Sequence, residues 1–205
     1  MGNSDTFLEA VKARRTIYGL NKKSPIPDSR IEEIVHHAVL HIPSSFNSQS
    51  TRLVVLLGKE HEKFWELVKE VVKPHVPTPE AWKGSEARLN GFQGGCGSIL
   101  FFEDASVIHE FETKFAMYAD KFTQWSEHTN AMHQYVLWTA LEQEGLGCNL
   151  QHYNPIVDAR AKQEWNIPTD WMMKAQLVFG GRAGEPGEKT FKPLEERVFI
   201  HGKSS

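Results

Sequence analysis

Two cysteines in 205 residues are too few for a disulfide scaffold, and Cys96 and Cys148 lack the spacing of a CxxC pair. They read as reduced thiols of an intracellular protein. No apolar run approaches the ~20 residues of a membrane span, and the first fifteen residues are too polar for a secretory signal peptide. Neither sign of charge dominates. The 23 Lys and Arg stand against 26 Asp and Glu, and a net charge of −3 gives no electrostatic footprint for nucleic acid. Internal repeats and low-complexity tracts are also missing. A single domain over residues 1–205 is expected, in the cytoplasm with the nucleus open to it by diffusion.

The familiar catalytic signatures are missing too. His37 and His41 have i,i+4 spacing, but no HExxH accompanies them and no cysteine lies near to complete a metal site. No GxSxG marks a nucleophile elbow. The glycine run GFQGGCG (91–97) precedes an apolar segment instead of following one, so it cannot open a helix onto a phosphate. A tight turn is the expected reading there.

What is present is a mixture of helical and strand patterns. Residues 5–15 carry Phe7, Leu8 and Val11 at helical spacing, and Ser29 with Glu32 matches a capping box ahead of Ile31, Ile34, Val35 and Ala38. Helices are also expected over 60–73, 80–92, 129–144 and 156–165. In the third of these, Met132, Tyr135, Val136, Thr139 and Ala140 form the apolar side, and Gly145 is the stop. Strands are expected over 52–58, 98–103, 174–179 and 197–200, the first without polar alternation and so covered on both faces. Few strands between long helical stretches indicate the α+β class.

Four segments could carry chemistry. RRTIYGL (14–20) offers two guanidinium groups and a hydroxyl suited to a phosphate, or simply cations that complement a helix C-terminus. SSFNSQST (44–51) places seven hydroxyl or amide side chains before a core strand, able to donate and accept without charge. That suits a ligand rich in carbonyls, ring nitrogens and hydroxyls, or a solvated turn. EGLGCNLQHYNP (144–155) reads as a helix stop and a connecting loop, and EKTFKPLEERV (188–198) as a charged linker.

Taken in order, RRTIY, SSFNSQ, GSILFFED and FKPLEERV resemble the nitroreductase family of FMN-dependent oxidoreductases, in its shorter branch of fungi and some bacteria. The resemblance spans about residues 6 to 201. It implies a central, mostly antiparallel sheet flanked by helices, with a C-terminal arm over 181–205 whose strand is swapped onto a partner subunit. It implies that Arg14, Arg15, Thr16, Lys189 and Lys192 hold the FMN phosphate. Ser44, Ser45, Phe46, Asn47 and Gln49 would line the ribityl and pyrimidine parts, and Gln151, His152 and Tyr153 would face flavin N5 and O4 through main-chain N–H groups.

Two departures from the family pattern stand out. Phe191 sits where relatives have an arginine, with Lys192 beside it. Tyr18 stands where larger relatives have a lysine near flavin N1 and O2. Asn90 and Gln93 are further candidate contacts. No catalytic side chain and no metal are expected, because the flavin carries the chemistry. The implied activity is ping-pong transfer of a hydride from NADH or NADPH through flavin N5 to a nitroaromatic or quinone-type acceptor, in a homodimer. The alternatives are a flavin-binding regulatory or redox-signalling protein with little turnover, and a non-flavin interaction protein that keeps the fold.

Overall fold

The computed structural model describes residues 2–204. Seven helices alternate irregularly with five strands: α1 (Asp5–Ala13), β1 (Leu20–Asn21), α2 (Asp28–His41), β2 (Thr51–Leu57), α3 (Gly58–Val72), α4 (Pro79–Gln93), β3 (Gly97–Asp104), α5 (Ala105–Lys114), α6 (Ala119–Gln143), β4 (Leu146–Gln151), α7 (Asp158–Glu164) and β5 (Trp171–Arg182). The strands form one antiparallel sheet. β5 lies in its middle, with β3 and then β2 on one edge, β4 on the other, and β1 at its far end.

The alternation of side chains along β3 divides the core in two. Leu100 and Phe102 face α3 and α4, where they pack with Phe64, Trp65, Val68, Leu89 and Phe92. Ile99 and Phe101 face the other way, onto Ile31, Val35 and Ala38 of α2 and Leu137 and Leu141 of α6. Both faces of β3 and β5 are therefore covered, and every residue of β3 is buried.

The α+β expectation and the antiparallel sheet hold, and several local expectations are corrected. Ser29 makes no capping box: α2 begins at Asp28 after Pro27, with no side-chain cap. The long helix runs from Ala119, ten residues before its expected start. It does stop at Gly145, which takes φ +88.

The apolar side expected for α6 is half right: Thr139 is buried and Ala140 packs on the core. Met132, Tyr135 and Val136 are exposed, while Thr129, Asn130, His133 and Leu137 turn inward. Leu146–Gln151, expected as a connecting loop, is strand β4, held along β5 with Cys148 opposite Phe179. The segment 197–200, expected as a strand, forms none within one chain: Val198, Phe199 and Ile200 are exposed and have no edge beside them. No helix among the described residues is long and apolar enough to cross a membrane.

Candidate functional site

The segment after α1 is laid against the outer edge of β4. Ile17 N–H donates to Cys148 O at 2.8 Å, and Asn149 Nδ2 donates to Ile17 O at 3.0 Å, with Thr16 bridged to Cys148 in parallel. Gly147 permits this approach, since a Cβ there would meet Ile17 and Leu20 at 2.9 Å. Glu142, at the end of α6, accepts Arg15 N–H at 2.8 Å and Trp138 Nε1–H at 2.9 Å. Burial raises its carboxyl above the usual range, against the pull of those donors. The Arg14 guanidinium lies 4.4 Å over the Trp138 ring, and Arg15 donates to Gly187 O at the root of the arm. Backbone and side chains thus fix both arginines in place.

Arg14, Arg15, Thr16, Tyr18 and Lys189 line one pocket of ≈ 360 Å³, together with Gly187 and Glu188. Lys189 stacks its ammonium 5.1 Å from the Phe191 ring. Lys192 is exposed and does not line this pocket. The arm reaches the arginines because Gly19 and Gly184 pass closely, and a Cβ on Gly19 would meet Gly184 N at 2.9 Å.

Tyr18 belongs also to a second, larger cleft of ≈ 550 Å³, with Ala87, Arg88, Gly91 and Phe92 of α4 and Gln151 of β4. Arg88 was not singled out by sequence, since a lone arginine on a helix carries no pattern. It adds a positive charge to the cleft that Tyr18 also lines. Beneath the cleft, Trp65 Nε1 donates to Ser98 Oγ at 3.0 Å, and His61 bonds to Ser98 Oγ at 2.9 Å and to Phe92 O at 3.1 Å. The network fixes one tautomer: Ser98 donates to Nδ1, and Nε2–H donates to the carbonyl. Burial lowers the imidazole to about 4, so the ring is neutral and props the α4 wall.

The remaining expected contacts are placed as follows. Gln151 is half-buried and its Nε2 donates to Asn149 Oδ1 at 2.9 Å. His152 is exposed. Tyr153 packs on Trp65 and Phe92, and its main-chain N–H donates to Gln176 Oε1 at 2.8 Å, so that donor is already engaged inside the fold. Asn90 and Gln93 both accept from Lys69 Nζ at 3.0 Å; they tie α4 to α3 and do not line the cleft.

The Ser44–Gln49 loop is built differently, from unusual backbone. Phe46, Asn47 and Gln49 take φ of 54°, 56° and 51°, a left-handed region that Asn tolerates and Phe and Gln do not favour. Ser44 Oγ accepts Gln49 N–H at 2.9 Å and so closes the loop on itself. Ser45, half-buried, opens a single 3₁₀ turn over Ser45–Asn47. Phe46 rests against Phe115, at 4.5 Å between ring centres, and against Tyr118, Phe122 and Trp125 at 5.7–6.0 Å. Ser44 and Gln49 border a small cleft of ≈ 130 Å³ with Arg52, Thr129 and His133. This cleft and the Tyr18 cleft share no lining residue.

Among the described residues no group of three or more His, Cys, Asp or Glu is placed to hold a metal ion. Residues 11–181 match the model of the nitroreductase family. The nitroreductase FRM2 of Saccharomyces cerevisiae is 35% identical over 193 residues, covering 93% of this chain and 95% of that protein. The nitroreductase CinD of Lactococcus lactis, solved with chloramphenicol, is 39% identical, with a TM-score of 0.87 over 95% of this chain and 98% of its own. The same protein was solved with 4-nitrophenol, at a TM-score of 0.86. A more distant structure from Desulfovibrio desulfuricans, 18% identical with a TM-score of 0.65, shares the fold and is a complex with FMN.

Proposed function

The chain belongs to the nitroreductase family, and on that premise we propose that it is an FMN-dependent oxidoreductase that reduces small aromatic acceptors with NADH or NADPH. The observation that carries this reading is the pair of clefts joined at Tyr18: one is basic, the other larger and walled by Ala87, Phe92 and Gln151 with Arg88 as its cation. That donor set fits FMN. Two guanidinium groups, a hydroxyl and an ammonium suit a phosphate dianion, and Gln151 with the Tyr18 hydroxyl suits ring heteroatoms. When bound, FMN would supply hydride acceptance and donation at N5. The chain's own residues bind and orient it. Arg14 and Arg15, pre-set by Trp138 and Glu142, anchor the phosphate, and Arg88 adds a cation to the cleft that Tyr18 lines.

A homodimer belongs to the same proposal. The arm exposes Phe191, Leu194, Val198, Phe199 and Ile200, and the body exposes Val39, Leu40, Met132, Tyr135 and Val136 on α2 and α6. So much apolar surface calls for a covering partner. A second copy would meet it and bring its own Ser44–Gln49 loop to the Tyr18 cleft. The arm would then find a sheet edge for its strand. Acceptor and donor would use one flavin face in turn, which makes the kinetics ping-pong.

The test is an absorption spectrum of the purified protein, followed by nicotinamide oxidation with 4-nitrophenol or a quinone. Flavin bands and acceptor-dependent turnover are expected. A colourless protein that binds no added FMN would overturn the proposal. A yellow protein without turnover would replace it with a flavin-binding regulatory role.

A further inference from the structure

Glu103, the penultimate residue of β3, is 0% exposed, and a carboxylate at such a position is costly unless its partners are complete. They are. Ser50 Oγ donates to Oε2 at 2.5 Å, Thr51 Oγ1 to Oε1 at 2.6 Å, and Asn130 Nδ2 of α6 to Oε1 at 2.8 Å. Asn130 is itself held by Phe102 O and by Gln134. The next residue repeats the device. Asp104 pairs with Arg52 at 3.0 Å, Arg52 Nη1 donates to Gln49 O at 2.6 Å, and Asp104 N–H donates to Ser50 O at 3.0 Å.

The end of β3 therefore grips every residue from Gln49 to Arg52. This stretch begins at left-handed Gln49 and directly follows the left-handed Phe46–Asn47 turn and Ser48. Such backbone is strained and persists only where its surroundings over-determine it.

We propose that Glu103 is a positioning residue that pre-sets the Ser44–Gln49 loop for a flavin ring, acting through Ser50 and Thr51; this rests on the reading that the loop contacts the flavin. A carboxylate accepts from all three donors at once. A glutamine offers one acceptor oxygen, and its NH₂ would force a hydroxyl to turn round. The fold gains little from the charge itself. Burial pushes the Glu103 carboxyl up, opposed by its three donors, so at neutral pH the ionised form weighs against folding. An amide would relieve the fold while loosening the loop, and this separates positioning from mere stabilisation.

The experiment titrates the flavin-stripped full-length protein with riboflavin, which isolates the ring from the phosphate. Glu103→Gln is expected to weaken riboflavin about tenfold while the apoprotein melts no lower at pH 7. Ser50→Ala, which removes one latch bond and keeps the carboxylate, is expected to reproduce part of the loss. In a cycle with Gln49→Ala, adding Glu103→Gln is expected to cost less than twofold more. Affinity within twofold of the parent, affinity and melting temperature falling together, or losses that multiply across the cycle would each overturn the inference. Gln49→Ala with unchanged riboflavin affinity would overturn the flavin reading of the loop, and the inference with it. Loss in Gln49→Ala alone would sink only the role of Glu103.

Discussion

The Arg14–Tyr18 segment and the Ser44–Gln49 loop are each anchored on a buried glutamate, Glu142 and Glu103, whose carboxyl is pushed up by desolvation. Their chemistry nevertheless differs. The first has ordinary extended backbone and projects charge: Arg14, Arg15 and, through the arm, Lys189. The second projects amides and an aromatic ring, and its identity lies in backbone that only its anchors hold in place. A phosphate needs strong charge and tolerates loose geometry, whereas ring heteroatoms need uncharged donors and acceptors at set positions. The two regions match that division.

The comparison breaks most completely if the arm is removed. Deleting residues from Gly187 onward takes Lys189 and the exposed apolar row together. It is expected to give colourless protein without the proposed dimer, by absorption and light scattering. A truncated protein that stays a yellow dimer would separate the arm from the charged region.

The next effect concerns the wall under Tyr18. His61 titrates at about 4 when folded and near 6.5 when unfolded, so the unfolded chain binds more protons between those values. Its contribution is complete above about pH 6.5 and falls by up to ~3 kcal/mol towards pH 4. Urea midpoints at pH 7.5 and 4.5 measure the fall, and His61→Gln should flatten it.

Phosphate and ring can then be separated. Arg14→Ala should cost about 1.5–3 kcal/mol of FMN affinity, roughly tenfold to a hundredfold. Riboflavin affinity should stay as it was, and an equal loss for both ligands would remove Arg14 from the phosphate.

The smallest expected effect sharpens the charged region at its inner end. Tyr18→Lys should raise the flavin's two-electron potential and Arg88→Gln should lower it, each by about 30 mV, or ~1.4 kcal/mol. Dye-equilibration titrations read both shifts. Opposite signs, or no change, would turn both side chains away from the ring's pyrimidine edge.

Much of the fold was legible in the sequence. Periodicity located α2, α3 and most of α6, and unbroken apolar runs located β2 and β3, because each pattern reports a local geometry. β4 was missed because LGCNLQ carries glycine and amides in place of an apolar run. It is a strand only because β5 and the Thr16–Ile17 segment lie on its two sides. Of the candidate site, the arginine pair and the SSFNSQ loop were visible as residue types. Arg88 and Glu103 were not, since one charged residue on a helix or strand has no spacing to read.

The amino-acid sequence by itself determined the elements, the class and the chemical character of both regions, since composition and spacing act within a few residues along the chain. Only the tertiary structure decided which face of α6 turns inward. Met132, Tyr135 and Val136 make the more apolar side, yet Asn130 goes in because Glu103 and Phe102 O wait there as acceptors, with His133 and Leu137 beside it. Hydrogen bonds between residues 27 and 28 positions apart settle that choice, and no local pattern encodes them. The same physics leaves the apolar stripe and the arm bare in one chain: extended backbone becomes a strand only when another edge is there to pair with it.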